Sequence, residues 1–306
     1  MDYTSLLSGL KAGNRRSLAR AITAVENDLP GAMEFMAALD VKPVPVTGIT
    51  GPPGAGKSTL INTLAAEMLE QSKPDGTPFR IAIVSVDPTS PFTHGSLLGD
   101  RLRMQDLFND ERVFIRSLAT RGALGGLSAK TQQILDIIKA AGFDHILLET
   151  VGVGQSEVEV IALADTTVVV LVPESGDEIQ AIKSGIMEIA DIFAVNKSDR
   201  DGADKFIAGI QKTLHERTAS SWNVPVLKTV AIQRSGIAEL AATIRKHQEQ
   251  IIPARKNELQ AESLYRLIQQ EKMREITIEN LQKILVEEQS KSDFNIYRLA
   301  QKLKGI

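Results

Sequence analysis

Residues 44–59 read VPVTGITGPPGAGKST, and this stretch decides the fold. The apolar run 44–50 has the Val/Ile/Thr content of a buried strand, and the apolar residues after Ser58 return at helical spacing. Between them, Gly51, Gly56, Lys57 and Ser58 satisfy G-x-x-x-x-G-K-[ST]. In that strand–loop–helix context, Gly54 and Gly56 let the backbone wrap a phosphate with its N–H groups turned inward. Lys57 reaches the β- and γ-phosphates, Ser58 offers a hydroxyl to Mg²⁺, and the helix adds its positive N-terminal dipole. A glycine-rich turn with a chance lysine would not also carry both flanking elements. The stretch predicts a nucleoside-triphosphate site built from Gly51, Gly54, Ala55, Gly56, Lys57, Ser58 and Thr59.

Outward from this loop, strand-like runs recur at 80–87, 113–118, 145–150, 166–172, 192–196 and 225–230, most with helix-like segments between them. Continuous Val/Ile/Leu runs mark strands buried on both faces, and strand–helix alternation implies parallel pairing. The expectation is α/β: a doubly wound, mainly parallel sheet over 44–250, with helical extensions at 1–43 and 251–306. In the last segment Leu264, Leu267, Ile268, Met273, Ile276, Leu281, Ile284 and Leu285 form an apolar stripe that either packs back or pairs with a second copy. Asp293 is a candidate cap for a final helix.

The bulk composition narrows the class. A net charge of −3 over 306 residues supplies no basic field for nucleic acid or anionic lipid. There are no cysteines, which removes disulfides, thiolate metal sites and cysteine nucleophiles and suits a reducing cytoplasm. Apolar runs such as VVVLV at 168–172 are too short to cross a bilayer, and the N-terminus reads unlike a signal peptide. A cytoplasmic protein with no nucleic-acid or membrane partner is expected.

The base is read from NKSD at 196–199, which follows a buried strand. Asp199 can accept two hydrogen bonds from guanine N1–H and its exocyclic amine, a donor pair adenine lacks. Asn196 would brace the loop, Lys197 would lie along the base plane, and an N–H of Ala231 or Ile232 could meet the guanine O6. For the metal, Asp87 ends a strand and Asp100 follows thirteen residues later, two acids bracketing a loop. Arg103 is one helical turn beyond Asp100 and is read as a phosphate contact. Glu149 and Gly152, in ETVGVGQSE, have Asp-x-x-Gly spacing with the acid one methylene longer, placing Glu149 at the edge of the Mg²⁺ site and the Gly152 N–H near the γ-phosphate.

GPPGAGKST, VDPTSPFTHGSLLGDRLRM, ETVGVGQSE and PESGDEIQAIKSGIMEIADIFAVNKSD together resemble the MeaB/ArgK family of P-loop GTPases over nearly the whole chain. The resemblance implies slow GTP hydrolysis, Mg²⁺ with GTP or GDP as ligand, and a homodimer formed through the C-terminal helices. It also implies a chaperone role toward an adenosylcobalamin-dependent acyl-CoA mutase such as methylmalonyl-CoA mutase. Carried over by residue, Ser58, Asp87, Asp100 and Glu149 surround Mg²⁺, Arg103 is near the nucleotide, and Gln155 lies in the mobile loop after Glu149. Lys57, Asp87, Glu149 and Gln155 are the catalytic candidates. Residues 173–185, with Asp177, Glu178, Gln180 and Lys183, correspond to the family's switch toward the mutase. AIQRSG at 231–236 departs from the usual base-binding loop.

Two other readings compete. An ArgK-type LAO/AO transport ATPase or kinase is opposed by the guanine signal. A metallochaperone GTPase would need clustered Cys or His ligands, whereas His94, His145, His215 and His247 are scattered.

Overall fold

The computed structural model describes residues 1–71, 73, 75–87, 105–119, 126–150, 163–173, 187–215, 222–273, 276, 278–289 and 294–303. Seven strands form one sheet: β1 (Val46–Thr50), β2 (Ile81–Asp87), β3 (Val113–Ala119), β4 (His145–Thr150), β5 (Thr166–Leu171), β6 (Ile192–Val195) and β7 (Val226–Lys228). Their spatial order is β3-β2-β4-β1-β5-β6-β7, and every pair is parallel. All seven strand-like runs of the sequence are therefore strands of one sheet. Residues of β1, β4, β5 and β6 are buried throughout, as a sheet covered on both faces requires.

Alternation along β2 shows how the two faces are filled. Ala82, Val84 and Val86 face a core shared with α1 (Tyr3–Lys11), α2 (Arg15–Glu26) and α3 (Ala32–Ala37). Ile81 and Ile83 face the opposite core, beneath α4 (Lys57–Leu69). A fifth helix, α5 (Gly126–Ala140), joins the first face, while α6 (Ala203–His215) packs near β5 and β6. The start of α7 (Ile237–Met273) covers the second face with Ile237, Leu240, Ala241 and Ile244. Asp2 and Asn14 cap α1 and α2 by accepting from backbone N–H groups of the first turn. Ion pairs Arg116–Glu26 and Lys130–Asp28 fasten α2 and the turn that follows it to β3 and α5.

The chain divides into two compact units, Met1–Leu259 and Gln260–Ile306, so the helices of residues 1–43 are folded into the same unit as the sheet. In the second unit, α8 (Ile278–Gln289) and α9 (Ile296–Leu303) follow the end of α7. Asn295 caps α9, accepting from the N–H groups of Tyr297 and Arg298 at 2.9 and 3.1 Å. Asp293, the expected cap, lies outside the described residues. Asn has the same short acceptor two positions closer to the first turn. Leu264, Tyr265, Ile268, Val286, Ile296 and Tyr297 are exposed.

At the amino ends of the strands the sheet carries a buried polar layer. His145 Nε2 shares a hydrogen bond with Thr47 Oγ1 at 2.9 Å, and Gln248 Nε2 donates to the same hydroxyl at 3.1 Å. Burial pushes the His145 imidazole down to about 4. The folded chain thus keeps this ring neutral where the unfolded chain protonates near pH 6.5. Its contribution to stability is whole above about pH 6.5 and is lost as the pH falls toward 4, because the unfolded state then binds the extra proton. Between pH 6.5 and 5 the loss is expected to be about 2 kcal/mol. Urea unfolding at the two pH values should show it, and His145→Gln should flatten the difference. An unchanged slope in the variant assigns the acid sensitivity to another group.

Candidate nucleotide-binding site

β1 lies between β4 and β5, so the chain departs to opposite sides of it and leaves a crevice at the carboxyl ends of the strands. Open parallel sheets bind ligands in such a crevice. The loop joining β1 to α4 opens into it. Gly51 has φ 146°, and a Cβ there would sit 2.1 Å from the Val170 carbonyl oxygen of β5. Gly56 has φ 86°, and its Cβ would come 2.5 Å from Asn196 Nδ2. Both positions admit only glycine, the first for close backbone approach and the second for close approach to a side chain.

Lys57 opens α4 and is 7% exposed. Its Nζ donates to the carbonyls of Gly51 at 2.8 Å and Pro52 at 3.0 Å, which anchors the ammonium inside the loop. Ser58 is buried beside it, and Thr59 is half-buried in the same turn.

Glu149 in β4 is 4% exposed and accepts two hydroxyl hydrogen bonds. Ser58 Oγ donates to Oε1 at 2.7 Å and Ser85 Oγ to Oε2 at 3.2 Å. The ladder sets Ser85 beside Glu149, and the longer acid spans from its strand to the first turn of α4. A buried carboxylate needs donors of this kind. Just beyond, Thr150 Oγ1 donates to Thr50 Oγ1 at 2.9 Å and ties the ends of β4 and β1. Asp87 is the last residue of β2, at this same end of the sheet. Among the described residues no three His, Asp or Glu side chains converge to hold a metal. Ser58 Oγ and the Glu149 carboxylate are oxygen donors only, the chemistry that suits Mg²⁺.

Asn196, 3% exposed, joins three loops. Its Nδ2 donates to the Ala55 carbonyl at 2.9 Å, and its Oδ1 accepts from the Ala231 N–H at 3.1 Å and from Thr229 Oγ1 at 3.4 Å. Lys197, with φ 55°, donates from Nζ to the Gly54 carbonyl at 2.9 Å. Its ammonium therefore grips the phosphate loop. Asp199 is exposed at this rim, and Ile232 is 79% exposed. The Ala231 N–H, one of the two expected near the guanine O6, is engaged by Asn196.

Asp100, Arg103, Gly152 and Gln155 lie outside the described residues, as do Asp177, Glu178, Gln180 and Lys183. The structure adds residues that motif reading passed over. Ser85 stands out only as a hydroxyl in the apolar run IAIVSVD. Thr229 carries no motif. Arg234, inside the atypical AIQRSG loop, pairs with Glu67 at 3.3 Å and Glu70 at 2.8 Å and ties that loop to α4. No linear signal marks this pair, because 164 or more residues separate its members.

The family described as "Methylmalonyl Co-A mutase-associated GTPase MeaB" matches residues 18–290. A Pyrococcus abyssi protein provisionally described as a GTPase is 46% identical over 254 residues, covering 80% of this chain and 75% of its own. GTPase ArgK of Escherichia coli is 36% identical over 242 residues, covering 76% of this chain and 71% of its own. The crystal structure of an LAO/AO transport system kinase superposes with a TM-score of 0.73 at 24% identity, covering 99% of this chain and 98% of that one, which speaks to the fold alone.

Proposed function

The chain belongs to the MeaB family of GTPases, and from that membership we propose a GTP-hydrolysing chaperone for an adenosylcobalamin-dependent acyl-CoA mutase, methylmalonyl-CoA mutase first among them. The observation that carries the chemistry is the contact of Ser58 and Glu149 beside the Lys57-anchored loop. The partner class comes from the description of the matching family. Purifying the protein from its source and identifying a co-eluting cobalamin mutase tests the partner. Recovery of a different GTP-dependent partner, with no mutase retained by the purified chain, would overturn it.

In this reading the loop N–H groups and Lys57 hold the β- and γ-phosphates. Ser58 and Glu149, with Asp87 and Asp100, supply the oxygen ligands and outer acids for Mg²⁺, which neutralises phosphate charge when bound. Arg103 contacts the nucleotide, the Gly152 N–H meets the γ-phosphate, and Gln155 rides in the loop that follows. Residues 173–185 relay the nucleotide state to the mutase. Exposed apolar residues of the second unit, Leu264 and Tyr265 among them, support a homodimer. Light scattering of a chain ending at residue 254 should then report a monomer. The absence of cysteine fits a cytoplasmic setting, and among the described residues no helix is long and apolar enough to cross a membrane.

Asp199 is proposed to select guanine. GTP should bind with Mg²⁺ far better than ATP, and Asp199→Asn should weaken GTP by about tenfold to a hundredfold, because the amide keeps one acceptor oxygen but loses the charge and turns its NH₂ donor against a guanine donor. Calorimetry giving equal ATP and GTP affinities for the parent chain sinks the guanine assignment. An ArgK-type transport kinase is the second reading, and detection of a phosphorylated acceptor protein would favour it.

A further inference from the structure

A cavity lies at the amino ends of β2 and β4, the opposite end of the sheet from the phosphate loop. Seven residues of β2 separate the two ends, about 20 Å along the strand. The cavity measures about 460 Å³, within the ordinary range for small-molecule sites of about 300–1,000 Å³. Its walls combine Leu7 and Leu39 with Lys11, Lys42, Arg80 and Asp40. Three cations against one carboxylate make a locally positive site on a chain whose net charge is −3. Neither Lys11 nor Lys42 forms an ion pair among the described residues.

Arg80 is the best-defined of these groups. Its guanidinium lies 4.6 Å from the Phe143 ring centroid, and Nη1 donates to the Gly142 carbonyl at 3.2 Å. Those contacts hold the plane in place through one face and one nitrogen. Its Nε and Nη2 make no hydrogen bond among the described residues. Gly13 and Gly142, both in left-handed turns, approach the guanidinium without side chains of their own; a Cβ at each would stand 3.4 and 3.7 Å from Nη1. Leu7 and Leu39 pack on the core beneath and present an apolar wall beside the charge.

We propose that this cavity binds a small organic anion, an oxyanion head on the Arg80 edge and the two lysines, with a short apolar chain along Leu7 and Leu39. A pre-oriented guanidinium suits the two-oxygen edge of a carboxylate or phosphate ester. Nuclear magnetic resonance on the full chain, titrated with hexanoate, hexyl phosphate, hexylamine and inorganic phosphate, tests it. Hexanoate and hexyl phosphate should shift the amides of Gly13, Leu39 and Gly142, and the tighter of the two identifies the head group. The exposed pair Lys11→Gln and Lys42→Gln, combined, should weaken binding by roughly tenfold or more while leaving the fold intact. Equal shifts from hexylamine, or undiminished hexanoate affinity in the double variant, overturn the anion site. Inorganic phosphate binding as tightly as hexyl phosphate overturns the apolar half.

Discussion

Replacing Lys57 by alanine is expected to lower single-turnover GTP hydrolysis by roughly 10²–10³-fold, the scale of removing one pre-oriented electrostatic group. The ammonium is buried and held by the carbonyls of Gly51 and Pro52, so its position is set before any phosphate arrives. Charge fixed in a water-poor site needs no reorganisation at the moment of reaction, which is why its loss falls on the rate. Alanine cannot replace the charge, and arginine is too wide for a loop already closed around a single amine. Calorimetry should also show weaker GTP binding. A Lys57→Ala chain that hydrolyses GTP within tenfold of the parent would falsify the catalytic assignment.

Gly56→Ala is expected to weaken GDP and GTP by about a hundredfold while leaving the cores of the sheet intact. The left-handed φ of 86° alone costs a side chain about 1–2 kcal/mol. The added methyl would also sit 2.5 Å from Asn196 Nδ2. To relieve it, Asn196 must release the Ala55 carbonyl, and the Ala231 N–H bonded to its other end moves with it. Each buried group left without a partner costs about 1–3 kcal/mol, and about 2.7 kcal/mol is a hundredfold in affinity. Because the steric part of the loss, unlike the backbone strain, runs through Asn196, Gly56→Ala combined with Asn196→Ala should fall short of the sum of the single losses. Strict additivity would show that the strained backbone acts alone.

The fold was readable because its signals are local. Unbroken apolar strands, glycines at fixed offsets and the strand-to-helix switch around GPPGAGKST each reflect forces between near neighbours in the chain. The seven strands and the β1–α4 loop emerge where those signals place them. Strand order was not readable in the same way, since no local pattern sets β1 between β4 and β5. Glu149 shows the boundary within a single residue. Its strand and its acid character are plain in ETVGVGQSE, but its two partners come from α4 and β2, and only folding brings Ser58 and Ser85 to its two oxygens.

The sequence by itself determined the phosphate loop, the parallel sheet and the acids and amide placed at strand ends, because backbone conformation and hydrophobic period depend on adjacent residues. Only the tertiary structure decided that Lys197 grips Gly54 and that Asn196 links Ala55 to Ala231. It also decided that Arg234 clamps the 231–236 loop to α4 and that three cations line a cavity at the far end of the sheet. Those contacts join residues far apart along the chain, and what selects them is the packing of both sheet faces rather than any neighbouring residue.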